Sequence, residues 1–464
     1  MGNGVEHRTG LTYRPEIDGL RAVAVISVIL FHADFSVSDQ NPMQGGFLGV
    51  DIFFVISGYL ITSIILRERN GQGFSVASFY ERRARRILPV LLTVMLVSTP
   101  MAWMFLIPEA MRDYCYSIIG SILFSSNFYF WSEDPYWTTD SQIRPFLHTW
   151  SLAVEEQFYL IMPLVLLLLC RLENKARLTL VCILALASMG IAQWTSSTRP
   201  EFAFYLLPAR MWELLAGTMM AVLEQQRGRA NSTRGTQSPL TQHLPTFGFF
   251  LVILPMFMFS SDTQHPSVLT LVPVIGTMLI IGFANGTDLT VKILSSRPFV
   301  AIGLMSYGLY MWHFPIFSFG EIILRDEGNA ASVILIFLSV LLASITYFSI
   351  ERPARNRSLI SIKSFVAIAG TATLLIMTFS VIGLVNGYAF RFPAFLAELP
   401  KAERIARHQW TRSTGGSAPD KRIIVAGDSH MQMLAPELRK LAFDAGYEFA
   451  VSTYTGCQLI AGAN

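Results

Sequence analysis

Charged side chains are scarce in this sequence. Asp, Glu, Lys and Arg together make up 14% of the 464 residues, whereas hydrophobic residues make up 52%. A soluble domain typically carries about 25% charged residues. This deficit excludes a soluble globular protein for most of the chain and indicates a membrane protein. The formal net charge of +3 is too small to indicate nucleic acid as a partner.

Cysteine is also rare, and the four cysteines are scattered along the chain at Cys115, Cys170, Cys182 and Cys457. They form neither a C-x-x-C motif nor a Cys/His cluster with the spacing of a zinc site. We therefore exclude a disulfide framework and expect no bound metal. The sequence also lacks an internal repeat of fixed period.

Long apolar runs, in contrast, recur along most of the chain. We identify eleven of them, at residues 17–36, 45–66, 87–107, 149–170, 178–194, 208–224, 246–260, 266–284, 298–320, 331–350 and 364–387. Most are close to the length of about 20 residues that a helix needs to cross a bilayer. The sequence therefore predicts an all-α polytopic membrane protein with about eleven transmembrane helices.

The loop cations predict the orientation of these helices. With eleven crossings, most Lys and Arg residues of the loops fall on one side, and the other side holds only Arg112, Arg144, Arg199 and Arg325. Counting residues 114–131 as a twelfth crossing would break this asymmetry, so we interpret that segment as re-entrant or interfacial. By the positive-inside rule the N-terminus is cytoplasmic, and the chain beyond residue 387 lies outside.

The character of the sequence changes after the last apolar run. Residues 391–420 are mostly polar and predict a linker, and "KRIIVAGDSH" from residue 421 predicts a β-strand followed by a tight turn and a helix. This is the opening of an α/β domain. Ser429 would lie at the start of the helix, where a nucleophile can be placed beside outward-pointing N–H groups. Asp428-Ser429 is equally compatible with an ordinary helix cap.

Several ionisable residues lie within the apolar runs, where charge is costly and often functional. Arg21 and His32 are eleven residues apart, which places them on one face of a helix about 16 Å apart along its axis. His32 could accept a proton or relay an acyl group, or it could be a structural histidine. Asp51 could orient His32 or be purely structural.

Further candidates come from three other runs. Glu155 and Glu156 are adjacent and would point about 100° apart on a helix, so at most one of them can share a cavity with His32. Arg210 and Glu213 have the spacing of an intramembrane ion pair, for which we favour a structural role. His313 precedes a proline, and we favour helix packing over catalysis for it.

Seven motifs together resemble the acyltransferase 3 family of integral membrane proteins. They are "RPEIDGLRAVAVISVILFH", "GGFLGVDIFFVISGYLI", "FYERRARRILP", "HTWSLAVEEQFYLIMP", "RMWELLAG", "SYGLYMWHFPI" and "IERPAR". The resemblance covers residues 14–355, with about ten transmembrane helices, and residues 356–390 add one more. The family's R-x10-H motif falls on Arg21 and His32, and its R-x-x-R motif falls on Arg83 and Arg86.

The C-terminal segment has a resemblance of its own. "IIVAGDSH" is similar to the first sequence block of SGNH-type esterases and acyltransferases, in which the GDS serine carries the acyl group. This implies catalytic roles for Ser429 and Asp428. The family's later blocks, including a D-x-x-H that supplies the base, are not found in residues 421–464. We therefore expect this SGNH-like periplasmic domain to be incomplete.

The two resemblances imply a fused bacterial O-acetyltransferase of the inner membrane. Arg21, Arg83 and Arg86 would bind a cytoplasmic acyl-coenzyme A, a co-substrate rather than a tightly bound cofactor. The acyl group would then pass by way of His32, with the segment Trp150–Glu156 helping to build the active site, to Ser429. The acceptor would be an envelope glycan, such as lipopolysaccharide O-antigen or peptidoglycan.

Two alternatives stay open from sequence. A polytopic transporter or exporter would also explain buried charges in about eleven crossings, although it would not explain an outward GDS turn. Within the enzyme class, the membrane domain could instead acylate the acceptor directly.

Overall fold

The structure is a computed structural model, and it describes residues 13–35, 41–70, 73–133, 144–226, 239–260, 262–324, 328–391, 422–427, 440 and 448–453. Each of the eleven apolar runs contains a helix, so the all-α membrane-protein class predicted for this part of the chain is confirmed. Two compact units are present. One comprises residues 1–105 and 114–381, and the other comprises residues 106–113 and 382–464.

The first half of the chain forms nine helices within the described residues. A short 3-10 helix at Gln44–Leu48 leads into the second of them. The helices are α1 (Pro15–His32), α2 (Gly49–Asn70), α3 (Val76–Phe105), α4 (Pro108–Ile122), α5 (Ser126–Glu133), α6 (Thr149–Leu169), α7 (Asn174–Thr198), α8 (Pro200–Tyr205) and α9 (Leu207–Gln226).

The second half continues in the same way. Its helices are α10 (Pro239–Gln242), α11 (Leu244–Met258), α12 (Leu271–Phe283), α13 (Leu289–Leu294), α14 (Arg297–Leu304), α15 (Ser306–Leu324), α16 (Gly328–Thr346), α17 (Arg352–Arg355) and α18 (Ile362–Asn386). A π-helical turn at Tyr347–Glu351 joins α16 to α17. Short 3-10 turns occur at Val268–Thr270 and Ala389–Arg391.

Seven segments of the described residues are long and apolar enough to cross a membrane, or eight if α14 and α15, bent by 65°, form one span. The helices α11 and α12 are apolar but shorter. Helix α1 falls outside this set because its 18 residues include Glu16, Asp18 and Arg21. The count of eleven crossings therefore stays a prediction, as do the orientation and the domain boundaries.

The segment 114–131 is broken into two helices. Helix α4 ends at Ile122 and α5 begins at Ser126, and Phe124 between them has a positive φ of 50°. The 15 residues of α4 and the 8 residues of α5 are each shorter than a bilayer requires. This geometry agrees with the interpretation of the segment as re-entrant or interfacial.

Glycines allow α2 and α9 to pack with their backbones in contact. A Cβ on Gly58 would overlap the carbonyl oxygen of Leu214, and a Cβ on Gly217 would overlap that of Val55. Small residues are favoured at such helix contacts in membranes because they let backbones approach closely. Two buried apolar clusters flank this contact, one around Ile52 and Trp212 and the other around Phe54, Trp150 and Leu214.

In the second unit, two parallel strands pair in register. β1 (Arg422–Gly427) pairs with β2 (Glu448–Thr453), with Arg422 opposite Glu448 and Gly427 opposite Thr453. A parallel pair needs a crossover connection, as in the first βαβ unit of an α/β domain. The predicted strand before the GDS turn is therefore present. Asp428 and Ser429 follow it directly and lie outside the described residues.

We expect Gly217→Val to lower the apparent melting temperature in detergent by several degrees, because the added atoms must separate α2 from α9. Overpacking of this kind typically costs about 1–3 kcal/mol. Gly190→Val in α7 is the matched control, since nothing lies within 4 Å of a Cβ at Gly190. Fluorescence-detected thermal unfolding measures both variants, and equal melting temperatures would contradict the close contact.

Candidate functional site

A cavity of about 740 Å³ empty volume lies among α1, α2, α3, α6 and α15. We call it the arginine cavity, and the lining residues that matter here are Arg21, Val50, Ser57, Arg83, Arg86, Glu155, Tyr159 and Tyr310. The structure thus brings together the three arginines that we assigned to donor binding, although they come from two helices.

Two of these arginines are held in place by neighbouring side chains. Arg21 Nη1 donates to Asp18 Oδ1 at 3.1 Å, and Tyr13 Oη donates to Asp18 Oδ2 at 2.9 Å. Burial and the Asp18 carboxylate raise the pKa of Tyr13, so its hydroxyl stays protonated as a donor. The Arg83 guanidinium lies 4.7 Å from the centre of the Tyr159 ring, within cation–π range.

Glu155 is the carboxylate of this cavity. Its Oε1 accepts from Ser57 Oγ at 3.1 Å, and its Oε2 accepts from Tyr159 Oη at 2.9 Å. Both oxygens are satisfied, so the side chain is fixed in one position. Glu156 is not among the residues that line this cavity, and its buried Oε1 has no hydrogen-bond partner among the described residues. Of the two adjacent glutamates, only Glu155 thus lines the arginine cavity.

A second basic opening adjoins the arginine cavity. We call it the arginine vestibule, with an empty volume of about 810 Å³ and the lining residues Ile64, Phe79, Arg82, Arg83, Arg85, Arg86, Arg355 and Arg357. Arg83 and Arg86 line both spaces. Arg85 has a structural role, because it donates to Glu81 at 2.9 Å and to the carbonyls of Ala354 and Ile360.

A smaller cavity lies beside the arginine cavity. We call it the histidine cavity; its empty volume is about 340 Å³. It shares Val50 and Tyr310 with the arginine cavity, and its other lining residues are Val28, His32, Phe47, His148, Trp150, Phe204, Arg210 and His265. Val50 and Tyr310 thus line both cavities, whereas three imidazoles line the histidine cavity alone.

His32 is the last residue of α1, and its ring is oriented by the preceding turn. Its Nδ1 lies 2.9 Å from the carbonyl oxygen of Val28. Because a carbonyl only accepts, we assign the proton to Nδ1 and the lone pair to Nε2. The Phe31 and Phe314 rings contact it edge to face, both with centroids 4.9 Å away. This geometry suits a nucleophile or base at Nε2.

A correction concerns Asp51. The expectation that it orients His32 is replaced by a different pairing, in which Asp51 Oδ1 accepts from Arg210 Nη1 at 3.0 Å. The same Nη1 donates to Glu213 Oε1 at 3.1 Å, so the predicted Arg210–Glu213 pair is present with Asp51 as a third member. All three side chains are fully buried, and His265 Nε2 lies 3.6 Å from Asp51 Oδ2.

Sequence reasoning missed four residues of these spaces. His148 and His265 line the histidine cavity, and Arg355 and Arg357 line the arginine vestibule. The available signals were a histidine at the start of "HTWSLAVEEQF" and the cations of "IERPARNR". His313, for which we favoured packing, is buried and directs Nδ1 to the Tyr310 carbonyl at 2.7 Å.

Comparison with known proteins gives two family matches. Residues 14–348 match the model of an acyltransferase domain family, acyltransferase 3, and residues 398–464 match that of the SGNH domain fused to such domains. No solved structure matches the chain.

The chain is also similar to curated bacterial proteins. It is 32% identical over 361 residues to the peptidoglycan O-acetyltransferase OatA of Listeria monocytogenes, which covers 75% of this chain and 57% of OatA. It is 30% identical over 396 residues to a Staphylococcus aureus (strain MSSA476) protein classed provisionally as an O-acetyltransferase, covering 82% of this chain and 64% of that protein. The chain thus spans less than two thirds of the length of these relatives.

We expect Arg210→Ala to destabilise the protein strongly, because it leaves Asp51 and Glu213 buried without their cation. Breaking a buried ion pair in this way costs about 3–5 kcal/mol. Adding Asp51→Asn should restore part of the loss by removing one buried charge. Apparent melting temperatures in detergent measure the series, with exposed Arg199→Ala as the control. Unchanged stability of Arg210→Ala would contradict this electrostatic role.

Proposed function

Because the chain belongs to the acyltransferase 3 family, we propose that it acts as an O-acyltransferase that moves an acyl group, most simply acetyl, from acyl-coenzyme A to hydroxyls of an envelope glycan. The donor would be cytoplasmic and the acceptor external, so the acyl group would cross the membrane within this domain. The observation that carries the proposal is that the arginine cavity and the histidine cavity share the lining residues Val50 and Tyr310.

The arginine side suits a donor that carries phosphates. Guanidinium groups bind phosphate oxygens through paired, charge-assisted hydrogen bonds. In this proposal the arginine vestibule holds the phosphorylated end of coenzyme A, and Arg83 and Arg86 mark the entry to the arginine cavity. The pantetheine arm extends past Arg21 and Glu155, and the thioester reaches Val50, which lines both cavities.

The histidine side suits nucleophilic transfer. The lone pair of His32 Nε2 would attack the thioester carbonyl, and the sulfur would leave as a thiolate. The acyl group would then be bound to His32 in the histidine cavity, and coenzyme A would remain in the arginine cavity. From there it would pass to Ser429 of the SGNH segment or directly to an acceptor hydroxyl. The match of residues 398–464 to the SGNH family supports the route through Ser429.

The acceptor belongs to the same proposal. The Listeria relative is named for peptidoglycan, which supports an envelope glycan as the acceptor, with lipopolysaccharide O-antigen as the other member of that class considered from sequence. The protein would reside in the bacterial inner membrane with a cytoplasmic N-terminus and a periplasmic C-terminal segment. A transporter receives no support from the comparisons, because the matching families and relatives are acyltransferases.

We expect Arg83→Ala and Arg86→Ala each to weaken acetyl-coenzyme A binding about tenfold or more, since each removes a charge-assisted contact to phosphate worth about 1.5–3 kcal/mol. Binding is measured by calorimetry on the purified protein. Arg171→Ala is the matched control, because it also removes a loop arginine but at an exposed position. This variant should bind acetyl-coenzyme A normally. Wild-type affinity in both cavity variants would reduce these arginines to membrane anchors.

The proposed route separates His32 from Ser429. In sealed inside-out vesicles given labelled acetyl-coenzyme A, His32→Ala should abolish both thioester cleavage and glycan acetylation. Ser429→Ala should abolish glycan acetylation alone, because the donor site and His32 remain intact. Free coenzyme A measures thioester cleavage, and label in base-labile esters measures glycan acetylation. Full glycan acetylation by Ser429→Ala would favour direct transfer by the membrane domain, and activity in His32→Ala would overturn the proposal.

A further inference from the structure

Two more histidines pack around His32. The ring of His313, in α15, has its centroid 5.3 Å from that of His32, and the ring of His148 lies 5.6 Å from that of His313. His148 is 2% exposed and His313 is fully buried. The Phe314 ring contacts two of these histidines. It stacks on His148 with the ring centroids 5.2 Å apart, and it meets His32 edge to face with the centroids 4.9 Å apart.

The three imidazoles differ in how the protein fixes their protons. His32 and His313 both direct Nδ1 to a backbone carbonyl, which assigns the proton to that nitrogen. In His148, neither ring nitrogen makes a hydrogen bond of regular geometry among the described residues, and the backbone of Met311 is a nearby polar group. A buried polar group without a partner is costly, so its presence calls for an explanation such as a ligand or a reacting group.

The position of His148 is equally distinctive. It directly precedes Thr149, the first residue of α6, and it lines the histidine cavity together with His32. Tyr310 Oη donates to its carbonyl oxygen at 2.9 Å and fixes this backbone. In the predicted topology, His32 ends α1 and His148 precedes α6 at the same external side. An acceptor that approaches from that side would meet both imidazoles.

We propose that His148 is the general base that takes the proton of the acceptor hydroxyl when the acyl group leaves His32. This inference rests on the proposed function and adds a second histidine to it. His265 is less suitable, because Nδ1 lies 3.2 Å from Thr270 Oγ1 and Nε2 faces Asp51. His313 is less suitable because, unlike His148, it does not line the histidine cavity.

The proton balance of this scheme closes. In the first step, the bond from His32 Nε2 to the acyl carbon forms, the carbon–sulfur bond breaks, and coenzyme A leaves as a thiolate. In the second, the acceptor oxygen attacks the acyl carbon, its proton passes to His148, and the bonding pair returns to His32 Nε2. His148 then releases its proton to water and the thiolate takes one from the cytoplasm. The sum is thioester plus alcohol giving thiol plus ester.

The two steps can be measured separately. Exchange of labelled coenzyme A into acetyl-coenzyme A by the purified protein needs only the donor site and His32. Base-labile acetyl esters on the envelope glycan, formed in inside-out vesicles from cells that express the protein, report the whole reaction. The Ser429→Ala background tells whether the hydroxyl that His148 deprotonates belongs to this serine or to the glycan.

We expect His148→Gln to keep exchange within about twofold of wild type and to lower glycan acetylation by about 100-fold or more, the usual contribution of a general base. His32→Gln should lose both, and His243→Gln, at an exposed position outside the cavity, should lose neither. His148→Gly should regain part of the glycan acetylation when imidazole is added, which a purely structural role would not allow.

Two results would overturn the inference. One is loss of exchange in His148→Gln to the same degree as in His32→Gln, with rescue by imidazole absent in His148→Gly. The other is glycan acetylation near wild type in His148→Gln. Exchange that persists in His32→Gln would instead refute the proposed function itself, so the two failures are distinguishable.

Discussion

The cost of burying charge among apolar helices is the constraint on which this structure depends. Each ionisable group at the centre of a membrane costs several kcal/mol unless it has partners. Arg210 illustrates the solution, because it bonds to Asp51 and Glu213 and also donates to the Phe204 carbonyl at 3.0 Å. These contacts tie α2 to α9, whose backbones also meet at Gly58 and Gly217. Helix α2, a wall of both cavities, is thereby fixed.

The ionisable residues that line the other spaces fall into two groups according to their predicted position across the membrane. The arginine vestibule contains Arg83, Arg86 and Arg355, which the predicted crossings place at one side of the membrane. The histidine cavity contains His32, His148 and His265, which the same predicted crossings place at the other side. The number of crossings and their orientation stay predictions. In the proposed function, the arginine-rich side would hold the donor and the histidine-rich side would receive the acceptor.

The sequence predicted the helices well because apolar length is a local property. It also predicted that Arg21, Arg83 and Arg86 belong together, although through family resemblance. Partners across the fold could not be predicted in this way. Asp51 and Arg210 are 159 residues apart, and helices that are apolar on every side carry little information about which face meets which neighbour.

The residues that were missed have the same explanation. His265 lies in a loop and reaches the cavity only because α11 and α12 place that loop over Phe47, whose ring lies 4.8 Å from that of the histidine. His148 directly precedes an apolar helix, and its sequence position alone does not distinguish it from a helix cap. Its place in the cavity becomes visible only when the surrounding rings of Tyr310, His313 and Phe314 are in place.

Val50 and Tyr310, the two residues that line both cavities, have a consequence for the proposed reaction. A bacterial membrane holds a gradient of protons, and an open channel between a donor site on one side and an acceptor site on the other would dissipate it. An acyl group that passes from one cavity to the other would have to pass these two side chains while a column of water is kept out. In the proposed function the same two residues would therefore limit both ion leakage and the size of the acyl group.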